Sequence, residues 1–233
     1  MNSELNRLGL IPELQGFDIF KKFSVEEIEQ LCADSSVVVT THKKYLFKSG
    51  EEAKFFYLVL SGAYKLTKLT PLGEESILYF STPGDAIAAF ILTQQNPKYP
   101  LSSISMGPSR ALKIPKKNYL EVWMRKPELL LTIQSLLSLR MANLQNQKAL
   151  SRSSLQSKIA TLLIDLIEKQ PSTDCQTISL PLTRKEIADA VGSSVESIIR
   201  IMSEWSKKEF ISTVDQQISI IQTDKIIQLM NAE

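Results

Sequence analysis

The stretch from Glu128 to Lys169 contains neither glycine nor proline, so helix can continue through most of it. Pro127, just before it, suits the first turn of a helix. Arg140 is the only charged side chain between Glu128 and Gln147. Apolar residues recur there at two sets of helical positions: Leu130, Ile133, Leu137, Met141 and Leu144, and Leu129, Leu136 and Leu139. The pattern predicts a long helix with two apolar faces, one packed on its own domain and one on a second copy of the chain. The alternative is a single buried helix in a monomer.

The serine-rich run 151–154 interrupts this pattern, and we place a domain boundary near residue 150. Ser153 or Ser154 is a suitable N-cap for a second helix. Pro171–Asp174 is expected to end that helix. Its apolar residues are Ile159, Leu162, Leu163, Leu166 and Ile167.

Residues 17–115 have the pattern of an antiparallel β-domain. Glycines at positions 50, 62, 73 and 84 supply turn signals at regular intervals. Ser24 and Glu27 have capping-box spacing and predict a short helix over Val25–Cys32, packed outside the sheet. The predicted strands are Val37–Thr41, Tyr45–Phe47, Phe55–Leu60, Ala63–Leu69, Ser76–Phe80 and Ala111–Ile114.

Several classes of protein are disfavoured. No apolar run is long enough to span a membrane, and the first residues lack signal-peptide features, so we expect a cytoplasmic protein. Cys32 and Cys175 are too few for a structural zinc site or an iron–sulfur cluster, and both are expected to be reduced and structural. His42, the only histidine, lies in a polar stretch and is a poor catalytic base. We therefore predict no enzyme, no metal and no cofactor.

Two capping signals frame a helical hairpin near the C-terminus. Thr183 and Glu186 form a capping box, and Gly192 supplies a left-handed residue for a sharp turn. Ser193 and Glu196 are interpreted as a second capping box that starts the next helix. The first helix would turn Ile187, Ala188 and Val191 inward, and the second Val195, Ile198, Ile199, Met202 and Trp205. This arrangement is typical of a DNA-binding helix-turn-helix.

The whole chain resembles the Crp/Fnr superfamily of bacterial transcription regulators. The resemblance runs from about Phe17 to Ile221. It rests on Phe47–Glu51, Tyr57–Gly62, Pro83–Asp85 and Leu182–Ile211. It implies an α+β fold with a cyclic-nucleotide-binding-like β-roll sensor domain (1–125), a long dimerisation helix (126–150) and a winged helix-turn-helix domain (151–233). The wing would be Ile211–Val214 and Ile218–Gln222, joined at 215–217.

The resemblance also implies which residues contact double-stranded DNA. Glu196 and Arg200 would read bases, since glutamate accepts from cytosine and arginine donates to guanine. The same two side chains could instead form an intrahelical pair. The recognition helix is similar to the Fnr branch, which implies a TTGA-like half-site, although Ile199 stands where that branch has a small polar residue. The full predicted set is Thr183, Arg184, Ser193, Ser194, Val195, Glu196, Ser197 and Arg200, with Thr183, Arg184 and Ser194 on phosphates.

The sensor domain departs from the cyclic-nucleotide branch. The residues that hold phosphate and ribose in that branch align near Tyr99-Pro100 and Ala89, which offer no cation and no carboxylate. We therefore predict that cyclic AMP does not bind. A different effector, if one exists, would lie between the roll and the long helix, near Ala88, Ala89, Phe90, Leu101, Leu136, Arg140 and Asn143. Arg140 could meet an acidic effector, or it could form an inter-subunit ion pair or be solvated.

The distribution of charged residues along the chain bears on the DNA-binding prediction. Residues 1–149 carry 18 basic and 14 acidic side chains, whereas residues 150–233 carry 9 and 11. Affinity for DNA comes largely from phosphate neutralisation, so a slightly acidic DNA-binding domain is unexpected. The chain is predicted to be a homodimeric regulator, with RNA polymerase as a further partner. The alternative is a sensor module that acts through protein partners and binds DNA weakly.

Overall fold

A computed structural model describes residues 9–149, 152–168 and 176–231. The chain divides into two compact units. One comprises the residues up to Lys68 together with Tyr79–Met141, and the other comprises Leu69–Leu78 together with the residues from Ala142 onward. In chain order the described elements are α1 (Leu10–Gln15), α2 (Val25–Leu31), β1 (Ser36–Thr40), β2 (Tyr45–Phe47), β3 (Phe55–Ser61), β4 (Tyr64–Leu69), β5 (Glu75–Ser81), β6 (Ala86–Ile87), a 3-10 turn (Phe90–Thr93), β7 (Ser102–Ser105), β8 (Ser109–Pro115), α3 (Lys116–Glu121), a 3-10 turn (Trp123–Arg125), α4 (Pro127–Ala149), α5 (Leu155–Glu168), α6 (Arg184–Val191), α7 (Val195–Lys207), β9 (Ile211–Val214), β10 (Gln217–Ile220) and α8 (Thr223–Met230).

The predicted β-domain is present as two four-stranded sheets, ordered β1-β8-β3-β6 and β2-β7-β4-β5. Every predicted strand corresponds to an observed one within one or two residues. Apolar side chains of β3 and β8, such as Phe56, Leu58 and Leu112, are fully buried between layers. Gly62 is required at the β3–β4 turn: its φ is +73°, and a Cβ there would lie 2.5 Å from the carbonyl oxygen of Pro108.

Two strands were not predicted. The short β6 pairs with Tyr57 and Leu58 of β3. Strand β7 is serine-rich and gave no apolar signal, yet Ser103 and Ser105 are fully buried. The Ser105 hydroxyl bonds to backbone groups of Thr41 and Lys44, so at this residue hydrogen bonding takes the place of apolar packing, whereas Ile104 is buried as an apolar side chain.

The helices beside the roll share its core. Ser24 and Glu27 form the predicted capping box at the start of α2. The indole nitrogen of Trp123 donates to the Leu31 carbonyl at 2.8 Å, and its ring meets Phe56 edge-on with centroids 4.8 Å apart. One apolar core therefore joins α2, the sheets and the segment that leads into the long helix.

The long helix α4 begins at Pro127, as predicted. Leu129 and Ile133 are buried in the core of the roll. Other apolar side chains of this helix are exposed: Leu131, Leu139, Met141 and Leu144. Leu129 and Ile133 come from different predicted sets, so the apolar residues do not divide into faces as predicted, and packing on a second copy stays a prediction.

The C-terminal unit is a helical domain with a small sheet. Ser154 is the cap of α5, since its hydroxyl accepts from the Ser157 backbone N–H at 3.1 Å. The Ser157 hydroxyl donates to the Met230 carbonyl at 2.7 Å, joining α5 to α8, a helix that the sequence did not predict. Cys175 and the predicted helix end at 171–174 lie outside the described residues.

The wing is a β-hairpin with a two-residue turn. Strands β9 and β10 pair in antiparallel register, with Asp215 and Gln216 both at positive φ in the turn. This is the turn class that matches the twist of a hairpin. The second strand is therefore Gln217–Ile220, which begins one residue and ends two residues earlier than predicted. A third segment, which the sequence did not predict, is hydrogen-bonded to this strand: the Ile178 N–H donates to the Ile218 carbonyl.

Candidate DNA interface

The first helix of the motif, α6, is capped as predicted. Thr183 Oγ1 accepts from the Glu186 backbone N–H at 3.2 Å, and Glu186 Oε2 accepts from the Thr183 backbone N–H at 2.9 Å. Ile187 and Ala188 are buried, and Val191 is half-buried. Gly192 ends the helix at φ +69°. The turn between the two helices is thus the predicted left-handed glycine turn.

The N-cap of the second helix, α7, is Ser194, and the prediction of Ser193 is wrong. The N–H groups of Gly192 and Ser193 both donate to the Ala188 carbonyl, so Ser193 closes the end of α6. The chain becomes extended only at Ser194, whose hydroxyl accepts from the Ser197 N–H at 3.3 Å. Glu196 is therefore the second helical residue, and its carboxylate is not used in a capping box.

The buried face of α7 also differs from the prediction. Ile198, Ile201, Met202 and Trp205 are buried. Val195 is half-buried, and Ile199 is exposed rather than inward-facing. Positions 198, 201, 202 and 205 form one helical stripe, which meets α6 and leaves the neighbouring face to solvent.

Glu196 and Arg200 lie on that exposed face, one turn apart. Within the described chain no ion pair joins them, so the intrahelical pair considered from the sequence is not formed. Arg200 interacts electrostatically with Glu204 instead. The hydrogen bond from Lys208 is the main cause that lowers the pKa of Glu204, and the charge of Arg200 lowers it by a smaller amount. Both predicted base-reading side chains therefore project from α7 without a fixed partner in the described residues.

Arg184 lies at the start of α6 and reaches the wing. Its guanidinium donates to the Thr213 hydroxyl of β9 at 3.2 Å. Burial lowers the pKa of Arg184, which is half-buried. Arg184, which is predicted to contact a phosphate, thus also links α6 to the wing, a role that the sequence did not indicate.

The motif is electrostatically balanced. Between Thr183 and Lys208 there are five basic and four acidic residues. Lys185 pairs with Asp189 at 3.0 Å, and Lys208 pairs with Glu204 at 2.6 Å. Among the described residues Arg200 and Lys207 have no ion pair, so this surface offers a few placed cations rather than a broadly basic face.

The predicted effector residues other than Asn143 belong to the roll unit. Ala88 and Ala89 are buried, whereas Phe90, Leu101 and Leu136 are half-buried. Arg140 donates to the Ala86 carbonyl at 2.8 Å and lies 4.8 Å from the centroid of the Tyr79 ring. Within the described chain Arg140 is thus held by the roll itself, and it is not merely solvated. The side chain of Asn143 lies outside the described residues.

The position aligned with the phosphate-binding arginine of the cyclic-nucleotide branch is filled by an aromatic stack. Tyr99 is 3% exposed and stacks on Phe47 with centroids 3.9 Å apart. Its hydroxyl donates to the Phe55 carbonyl at 2.8 Å. The Ala89 side chain has no polar group for a ribose hydroxyl. That cyclic AMP does not bind stays a prediction.

Two protein families match the chain, one in each part. The family "Crp-like helix-turn-helix domain" matches residues 157–229, and the family "cyclic nucleotide-binding domain" matches residues 38–126. No helix among the described residues is long and apolar enough to cross a membrane.

Relatives of known role are transcription regulators. The chain is 26% identical to the transcriptional activatory protein AadR of Rhodopseudomonas palustris over 77% of this chain and 74% of that protein. It is 26% identical to the fumarate and nitrate reduction regulatory protein of Vibrio cholerae over 79% of this chain and 74% of that protein. The solved structure of FixK2 from Bradyrhizobium japonicum superimposes with a TM-score of 0.75 at 16% identity, covering 85% of this chain and 98% of that one. The prediction of a regulator rather than an enzyme is confirmed by these relatives.

Proposed function

We propose that the chain is a DNA-binding transcription regulator of the Crp/Fnr family that binds a palindromic, TTGA-like site as a homodimer, because it matches two domain families and its relatives are regulators. The carrying observation is the exposed pair Glu196 and Arg200 on α7, beside the capped start of that helix. The N-terminal end of such a helix enters the major groove, where glutamate and arginine recognise a C·G pair. The protein would act in the cytoplasm, with RNA polymerase as a further partner.

Dimerisation would supply the affinity for DNA that the nearly balanced charge of one motif does not. One motif offers few unpaired cations, so one half-site would be bound weakly. Two motifs linked through α4 bind the second half-site at a high effective concentration. The exposed leucines and methionine of α4 are the surface on which a second copy would pack.

The region near Ala88, Leu136 and Arg140 would respond to a molecule other than cyclic AMP. Arg140 is already bonded to Ala86, so an acidic effector would have to displace that hydrogen bond.

Binding to a labelled duplex with two inverted TTGA half-sites tests the proposal, with a scrambled duplex as control. Specific binding that weakens steeply between about 50 and 200 mM salt is expected. No binding at about 50 mM salt would overturn it and favour a sensor module acting through protein partners. The acidic excess of residues 150–233 is the observation that favours this second candidate.

A further inference from the structure

Ile199 is an exception among the apolar side chains of α7. Every residue of this helix is described, and Ile198, Ile201, Met202 and Trp205 are all buried. Ile199 is 48% exposed, the only large apolar side chain of the helix that is exposed. The core of the domain therefore does not explain an isoleucine here.

The neighbours of Ile199 are polar and belong to the proposed reading face. Positions 196, 199, 200 and 203 lie on one side of a helix, and the other three residues are Glu196, Arg200 and Ser203, all exposed. Ile199 thus lies one turn beyond Glu196 and directly before Arg200. A major groove that receives these two side chains receives Ile199 with them.

Base edges in the major groove are polar with one exception. Each base pair presents hydrogen-bond donors and acceptors, and thymine adds a C5 methyl group. An isoleucine has no group to hydrogen-bond, so its favourable contact in the groove is with that methyl group. Placed against donors and acceptors alone, it would strip them of water without replacing their bonds.

We propose that Ile199 packs against the C5 methyl group of a thymine and selects a T·A pair beside the base pair read by Glu196 and Arg200. This inference rests on the proposed function and adds a specificity-determining residue to it. Ile199 would then recognise one base pair of each half-site through an apolar contact that does not depend on salt, next to the base pair that Arg200 recognises with its charge.

The test uses the full-length protein and duplexes selected from a pool with randomised inverted half-sites. Each thymine of the selected site is then replaced in turn by deoxyuridine, which lacks only the methyl group. At one thymine position in each half-site, a single replacement should raise the Kd about fourfold, because one carbon group is no longer buried. Ile199→Val should keep this dependence, and Ile199→Ser should lose it. Ile227→Ser, at another partly exposed isoleucine of the domain, is the matched control and should behave as the unmodified protein.

The outcomes separate the two proposals. An enriched site at which no thymine methyl group matters, or an Ile199→Ser protein with unchanged dependence on deoxyuridine, overturns the role of Ile199 and leaves sequence-specific binding intact. Selection that enriches no sequence overturns the proposed function and this inference together.

Discussion

The guanidinium of Arg184 and the hydroxyl of Thr213 are joined by a 3.2 Å hydrogen bond that links α6 to the wing. The family resemblance predicts a phosphate contact for Arg184, and the structure adds a hydrogen bond from Arg184 to the wing. An arginine has five N–H donors, so one can hold the wing while others remain for a phosphate.

Thr213→Val removes the acceptor while keeping the shape of the side chain and the charge of Arg184. We expect affinity for all DNA sequences to fall by about 0.5–1.5 kcal/mol, because the arginine and the wing lose their fixed positions. Arg184→Ala should produce a larger loss, also independent of sequence. Binding curves on specific and scrambled duplexes measure both, and full affinity of Thr213→Val would show that the tether has no role in binding.

Arg200→Ala should weaken binding to the best site by about 1–3 kcal/mol and relax discrimination at one base pair. The side chain has no ion pair among the described residues, so its removal leaves no protein group unpaired. Lys207→Ala, at another cation of α7 that has no ion pair in the described part of the chain, is the comparison and should at most weaken all sequences alike. Equal and sequence-independent losses for both variants would place the reading face elsewhere.

Leu139→Glu tests the dimer. Leu139 is 54% exposed on α4 and should be covered by a second copy in solution, so a buried charge there should shift the protein to monomer. Sedimentation velocity measures the shift, and affinity for the palindrome should fall with it. Val39→Glu places the same charge at an exposed position of β1 and should leave the dimer intact. A dimeric Leu139→Glu protein would point to a different interface.

Cyclic AMP should not stabilise the protein. A ligand present at about one hundred times its Kd raises the free energy of unfolding by about 2.7 kcal/mol, which is visible as a higher Tm. The Tyr99–Phe47 stack and Ala89 offer neither a cation nor a carboxylate for the nucleotide. Thermal denaturation with and without millimolar cyclic AMP should give one Tm, and a rise of several degrees would contradict this view of the roll.

Alkaline pH should destabilise the roll. Burial raises the pKa of Tyr57, Tyr64 and Tyr99, because a phenolate would lose its hydration there. The stability linked to these groups is complete below about pH 10, the pKa of tyrosine in an unfolded chain, and is lost as pH rises toward the folded values. Urea unfolding at increasing pH should show this fall, and Tyr64→Phe should make it shallower. A free energy of unfolding that stays constant to high pH would be inconsistent with buried phenols.

Local chemistry made the helix-turn-helix predictable. The Thr183–Glu186 box and Gly192 are each set by residues within one turn, and all are found as expected. Ser193 and Ser194 are equally good caps by type, and each has a polar residue three positions later. The choice depends on how α6 ends, because the Ser193 N–H is already bonded to Ala188. Sequence spacing does not contain that information.

Other differences arise where tertiary contacts decide. Positions 198 and 199 are adjacent isoleucines, and either fits a helical stripe until the position of α6 selects Ile198. Strand β7 escaped prediction because three of its four residues are serines and Ile104 is its one buried apolar side chain. Arg140 looked like an isolated charge in the sequence, whereas its carbonyl partner at Ala86 comes from a short strand that carries no clear signal.

The cap at Ser194 leaves the backbone N–H groups of Val195 and Glu196 without acceptors inside the helix, as at any helix start. If this end of α7 meets DNA, those two donors and the local positive potential would face a phosphate. That part of the contact would be built into the main chain, where side-chain replacement does not reach it. Alanine scanning of this turn would then understate how tightly it holds the duplex. Backbone ester substitution, or methylphosphonate in the DNA, would be needed to measure it.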